Sequence, residues 1–189
     1  MIKKFKNKLL GKRIVLKKLE PNIEMAKIIF TTVALNRLRL RLWFPWEKTT
    51  KKIEDSLQYL FMVEDRFTAG KGVDYGIYLG NKYIGNIGVF DVNDKNKSGE
   101  IGYWLDEKFT RQGYMTEAVK LLEKESFTNM GLNRIQIKCD ERNVASAAVA
   151  KKCGYIFEGQ HREDAYSEHF GNLRNTLYFS KLKSEFKKK

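Results

Sequence analysis

Two prolines, two cysteines and two histidines are thinly spread over 189 residues, and apolar runs stop after a few positions. So little proline excludes Pro-rich linkers and collagen-like repeats. Cys139 and Cys153 make neither a disulfide framework nor a zinc site, so the expectation is a cytoplasmic protein with reduced thiols and no metal. Without about 18 consecutive apolar residues, no segment is expected to cross a membrane. The stretch Met1–Lys8 is charged and lacks the apolar core of a secretory signal.

What the chain does hold is apolar content of 42%, with 13% aromatics. That is enough to bury a sizeable core, and no repeat or low-complexity linker divides it, so one domain over 1–189 is expected. The net charge of +13 is concentrated at the ends. Residues 1–20 carry eight Lys/Arg against Glu20, and residues 181–189 carry five against Glu185. Basic ends, about 1–12 and 181–189, on a near-neutral body suit either solvated tails or weak steering toward an anionic partner such as RNA, a ribosome or an acidic protein. Charge alone does not choose between these.

Periodicity supplies the elements. Arg13–Leu16 reads as a short strand closed by Glu20-Pro21-Asn22, and residues 22–42 have helical spacing. Pro45 interrupts, and Thr49 or Thr50 is placed to cap a helix running to about Ala69. Alternation then predicts a hairpin over 75–90 about Gly80-Asn81, a polar loop from Asp91 to Gly99, and a strand over 100–105. Met115, Ala118, Val119, Leu122 and Phe127 mark a helix that Gly131 ends. A strand over 134–139, a short helix from Asn143 to Lys152, and strands at 155–158 and 173–180 follow. Antiparallel strands leading into a strand–helix–strand step predict an α/β (α+β) fold with a mixed sheet.

The junction Trp104-Leu105-Asp106 to Gln112-Gly113-Tyr114-Met115-Thr116 is a strand, a polar turn and a helix start. Backbone N–H groups converge there into an anion site, which Gly113 lets a ligand approach closely and to which Arg111 adds charge. It is not a Walker loop, lacking Gly-x-x-x-x-Gly-Lys. The longer series Glu100-Ile-Gly-Tyr-Trp-Leu-Asp, Gln112-Gly-Tyr-Met-Thr-Glu-Ala, Asn143-Val-Ala-Ser146 and Gly154-Tyr-Ile-Phe-Glu158-Gly159 resembles the GNAT superfamily of N-acetyltransferases. Within it, the chain is similar to the ribosomal-protein N-terminal acetyltransferases of the RimJ/RimL type. The likeness is dense over residues 100–160 and looser over 11–99.

The resemblance implies a single GNAT fold with a splayed parallel strand pair and acetyl-CoA as co-substrate, with direct transfer to a primary amine. Trp104 and Leu105 end the strand whose backbone meets the pantetheine arm. Arg111, Gln112, Gly113, Tyr114, Met115 and Thr116 form the pyrophosphate loop, although Met115 stands where the superfamily has Gly or Ala. Asn143 matches a pantetheine contact. Ala150 replaces the tyrosine that protonates the leaving thiolate in many members, which leaves Ser146 as donor and Glu158 as base, directly or through water.

Each of these residues also has a plainer role: Ser146 as support for a helix start, Glu158 as a solvated strand end. Trp43 and Trp46 are either a wall for the acceptor or core aromatics. His161 and His169 lack metal-ligand spacing, and packing explains both cysteines, so no cysteine nucleophile is expected. The acceptor is a protein N-terminus, by resemblance ribosomal, or else a small amine such as a polyamine, an aminoglycoside or an amino acid. A degenerate module that binds RNA or protein is the reading outside enzymology. Ribosome association through the basic ends and an oligomer are both compatible with the composition.

Overall fold

The structure, a computed structural model, describes residues 5–186. Its centre is an eight-stranded sheet in the order β1-β2-β3-β4-β5-β6-β8-β7. The strands are β1 (Lys8–Leu10), β2 (Ile14–Lys18), β3 (Val73–Leu79), β4 (Lys82–Asn93), β5 (Ser98–Leu105), β6 (Arg134–Asp140), β7 (Ile156–Ser167) and β8 (Asn172–Leu182). Every pairing is antiparallel except β5 with β6, which run parallel. This is the α/β mixed sheet with one parallel pair that the sequence predicts.

Side-chain alternation divides the interior between the two faces of the sheet. Tyr83 and Trp104 face the helices α1 (Ile23–Leu35) and α3 (Ile53–Thr68), packing with Met25, Ile29, Leu60 and Val63. Their neighbours Ile84 and Leu105 belong to the larger core under α4 (Tyr114–Thr128), which buries Ala118, Val119, Leu122 and Phe127 as its periodicity requires. The side chain of Asn22 caps α1 by accepting from the Met25 amide at 2.8 Å. Capping of α3 falls to Asp55 rather than Thr49 or Thr50: its carboxylate accepts the amides of Lys51 and Lys52 at 2.8 and 2.9 Å.

The helical spacing over 22–42 breaks at Asn36. This buried side chain accepts the Glu107 amide at 2.8 Å, stapling the end of α1 to the end of β5. A separate turn, α2 (Arg37–Leu40), follows, and Pro45 opens a 3-10 turn over Pro45–Lys48. The expected polar loop from Asp91 shrinks to a tight turn, because β4 continues to Asn93.

The basic ends are built into the sheet where they are described. Phe5 and Leu9 are buried, and Lys8–Leu10 pairs with β2. Lys181 is buried too: its ammonium donates to Glu123 on α4 and to the Cys153 carbonyl, each at 2.7 Å. Residues 1–4 and 187–189, which hold part of the terminal charge, lie outside the described residues. Among the described residues no helix is long and apolar enough to cross a membrane.

Candidate active site

The parallel pair is short. Only Ser98–Glu100 meets β6, at Arg134–Gln136, and beyond that point the two strands separate. Into the gap opens a cleft of about 1120 Å³, bounded by the ends of β5 and β6, the N-termini of α4 and of α5 (Val144–Lys152), and the β7–β8 tip.

On the α4 side, Arg111 and Gly113 both take left-handed backbone, φ 61° and 83°, folding the chain into the helix start. The first helical bond runs from the Glu117 amide to the Gly113 carbonyl at 3.0 Å. The amides of Arg111, Gln112, Gly113, Tyr114, Met115 and Thr116 find no protein acceptor among the described residues. They are orphan donors at the positive end of a helix, a setting that favours an anionic ligand. Met115 is buried in the core, so its departure from Gly or Ala costs the loop nothing. Gln112 turns away from the cleft, its side chain bonded to the Lys108 carbonyl at 2.9 Å.

On the α5 side, Asn143 caps the helix by accepting the Ser146 amide at 3.1 Å, which leaves its NH2 group to donate to a ligand. Ser146 Oγ lies 3.1 Å from the hydroxyl of Tyr103 on β5. Burial raises the Tyr103 pKa well above the ordinary tyrosine value, so the phenol keeps its proton. Tyr103 was not singled out from the sequence, although its parity with Ile101 and Leu105 places it on this face. Cys139 lines the cleft beside them, and burial raises its thiol pKa despite a hydrogen bond with Ser146.

Glu158 stands elsewhere. It sits at the register break between the pairs Phe157↔Phe179 and Gly159↔Tyr178, held by Arg134 at the start of β6 through two hydrogen bonds, one of them at 2.7 Å. The cleft is lined on these strands by Ile137–Asp140 of β6 and by Tyr178 and Thr176 of β8, and Glu158 is not among its lining residues. The expected base is thus held in an ion pair with Arg134, a partner the sequence could not reveal because it lies far from Glu158 along the chain.

The Arg134 hydrogen bonds pull the Glu158 pKa from 4.5 to about 2. A depressed carboxyl stabilises the fold above its unfolded pKa and loses that contribution as pH falls through 4.5 toward 2. Glu158→Gln is expected to keep kcat/KM within about twofold and to cost at most about 1 kcal/mol at pH 7, since the pair is partly exposed. Urea midpoints measured from pH 7 to pH 2 should show that difference vanishing at the acid end.

A different carboxylate reaches the cleft. Between the pairs His161↔Thr176 and Ala165↔Arg174, three residues of β7 (Arg162, Glu163, Asp164) stand opposite Asn175 alone. In this bulge Glu163 adopts φ 50°, and Asp164 lines the cleft. Asp164 accepts from Thr176 Oγ1 at 2.7 Å and lies 3.5 Å from the Tyr178 hydroxyl. Of the other cleft carboxylates, Glu100 is tied to Lys138 at 2.6 Å, Asp140 to Arg142 at 2.7 Å and Glu168 to Lys48 at 2.8 Å, while Glu107, just past β5, makes no ion pair among the described residues and acts on Arg39 only through its charge. Asp164 has hydroxyl partners and an imidazole, His161, no nearer than 3.9 Å.

Trp43 lines the cleft and meets Phe170 of the β7–β8 tip at 6.2 Å between centroids. Trp46 does not line it, packing instead on Phe44 and Trp104. Arg39, also unforeseen, donates to the Leu105 carbonyl at the end of β5. Among the described residues no group of His, Cys, Asp or Glu is arranged to hold a metal ion.

Residues 13–156 match the family described as acetyltransferase (GNAT) domain. The Bacillus subtilis (strain 168) protein YdaF is 30% identical over 115 residues, 61% of this chain and 62% of that one, so under two thirds of that relative is spanned. The Escherichia coli (strain K12) ribosomal-protein-serine acetyltransferase is 29% identical over 150 residues, covering 75% of this chain and 82% of its own. In three dimensions, the RimL ribosomal L7/L12 alpha-N-protein acetyltransferase in complex with coenzyme A superposes with a TM-score of 0.87. That likeness has 22% identity and covers 93% of this chain and 97% of the other.

Proposed function

Because the chain belongs to the acetyltransferase (GNAT) domain family and is an N-acetyltransferase, we propose that it uses acetyl-CoA to acetylate the N-terminal α-amine of a ribosomal protein in the cytoplasm. One observation carries the cofactor half of this reading: a loop of acceptor-free amides meets the unpaired edge of β5 inside a single cleft. The loop suits a pyrophosphate, and the strand edge suits the amide-bearing pantetheine arm. Acetyl-CoA supplies the activated acetyl group as a thioester. The acceptor half rests on the E. coli relative's name and on the RimL likeness.

The chain's own residues divide the proton work. Asp164, free of a close cation, takes the proton from the incoming ammonium; an α-amine with an ordinary pKa near about 8 needs less help than a lysine near about 10.4. Tyr103 keeps its proton and donates to the Ser146 carbonyl at 3.2 Å, with the Ser146 hydroxyl 3.1 Å away placed to serve the departing thiolate. Transfer is direct, because the buried Cys139 is held as a thiol rather than a nucleophilic thiolate.

Ser146→Ala and Tyr103→Phe are each expected to lower kcat about tenfold, the worth of one hydrogen bond to a charged group. The double variant should be no slower than the worse single one, because the two act as a unit. Steady-state kinetics at saturating acetyl-CoA reads this directly.

The acceptor is tested by intact-mass analysis of a ribosomal-protein extract incubated with the enzyme and acetyl-CoA. One protein gaining an acetyl group at its N-terminus supports the reading. No modified protein, with coenzyme A binding intact, moves the acceptor to a small amine. No binding of coenzyme A leaves a degenerate binding module.

A further inference from the structure

The turn between β1 and β2 touches the amide-lined loop, although the two are about a hundred residues apart in sequence. Arg13, the residue before β2, donates its backbone N–H to Glu117 Oε1 at 2.9 Å and its Nε to Glu117 Oε2 at 3.0 Å. Its Nη1 donates to the Gln112 carbonyl at 2.9 Å. The guanidinium lies 4.6 Å from the centre of the Tyr114 ring, a cation–π distance. One arginine therefore grips the loop at Gln112, Tyr114 and Glu117.

The surroundings are shaped to this grip. A Cβ at Gly11 would fall 2.5 Å from Glu117 Oε1 and 2.8 Å from the Ile14 carbonyl, so only glycine admits the carboxylate. At Gly113 a Cβ would come within 3.3 Å of Arg13 Nη2. Burial works to raise the Glu117 pKa, yet hydrogen bonds from Arg13 and Ile14 win and hold it below the ordinary value.

The carboxylate of Glu117 also accepts the backbone N–H of Ile14 at 3.4 Å and so helps hold the turn, but the guanidinium adds little stability of its own. The Arg13 side chain is 48% exposed, and an ion pair so open to water contributes at most about 1 kcal/mol. Its chemistry does make sense beside a bound anion. A carboxylate in the first turn of α4 suits the helix dipole but repels a pyrophosphate arriving at the same amides. Drawing the Gln112 carbonyl toward Arg13 also keeps that acceptor out of the amide ring.

We propose that Arg13 is a positioning residue for acetyl-CoA: it fixes the amide-lined loop through Gln112 and cancels the charge of Glu117 beside the pyrophosphate. The inference rests on the acetyl-CoA reading above and adds a residue from the first hairpin to it.

The test is calorimetric titration of the full chain with coenzyme A, together with KM and kcat for acetyl-CoA, for Arg13→Gln, Glu117→Gln and the double variant. Arg13→Gln should raise Kd and KM about tenfold with kcat within about twofold, because one uncompensated charge then stands behind the amide-lined loop, in a groove that shares Gly113 and Thr116 with the cleft. The double variant should recover to within about threefold of wild type, and the Arg13→Gln deficit should shrink as salt screens the repulsion. A Kd unmoved by Arg13→Gln overturns the proposal. So does a double variant as weak as Arg13→Gln with no salt dependence, which marks a purely structural role.

If Arg13→Gln fails to fold, Glu117→Gln decides alone. It removes the anion while Arg13 keeps Gln112, so coenzyme A should bind more tightly than to wild type at low salt, and equal or weaker binding refutes the idea. Wild-type protein that binds no coenzyme A sinks this inference and the acetyl-CoA reading together. Wild-type binding with unaffected variants sinks this inference alone.

Discussion

Asp164→Asn is expected to lower kcat/KM for the amine acceptor by about 10²–10³-fold, in the range of a positioned general base. Coenzyme A binding should stay as in wild type, because Asp164 lies on β7, across the cleft from the amide-lined loop. Asparagine keeps the size and accepts from Thr176 as the carboxylate does at 2.7 Å, so the bulge should survive. The deficit should narrow at alkaline pH, where the acceptor loses its proton to water unaided. A rate profile from pH 6 to pH 10 for both proteins reads this. Equal rates at pH 6 would remove Asp164 from the mechanism, and a parallel tenfold loss at every pH would make it a structural residue.

Lys181→Met is expected to have the largest effect on stability. It takes the ammonium from Glu123 and from the Cys153 carbonyl, in a place where Lys181 and Glu123 are each 3% exposed. Breaking such a pair from one side costs about 3–5 kcal/mol. For a chain of this size that lowers Tm by about 10 °C. Replacing both partners, as Lys181→Met with Glu123→Leu, should restore most of the loss, since both charged groups then leave the interior together. Thermal unfolding of the three proteins decides it. A single variant within about 1 kcal/mol of wild type would mean that the pair is solvated in solution.

Much of this was legible in the sequence because burial writes periodicity. The stripe Met115, Ala118, Val119, Leu122, Phe127 gave α4 directly, and Gly131 at φ 73° ends it. The cleft's α5 wall was legible as well: Asn143 caps, and Ser146 stands where the motif puts it. The second half of β7 was not. Gln160-His161-Arg162-Glu163-Asp164 is exposed and polar, and it is a strand only because β8 pairs with it. A motif fixes position along the chain, and the level on the sheet depends on register, so Glu158 went to Arg134 while an unremarked aspartate reached the cleft. Arg13 was hidden for a related reason, since nothing local to the turn announces a partner on α4.

The irregular register of β7 has a consequence for the protein in a crowded solution. As the outermost strand it offers its free backbone edge to any passing chain, with Ile156 and Phe157 exposed beside it. A flat edge of that length would template intermolecular sheet growth. The breaks between Phe157 and Gly159 and between His161 and Ala165 interrupt the ladder twice, leaving no long straight stretch to copy. The distortion that delivers Asp164 to the cleft thus also breaks the edge that would template aggregation, and straightening β7 by deleting the extra residues is expected to cost solubility.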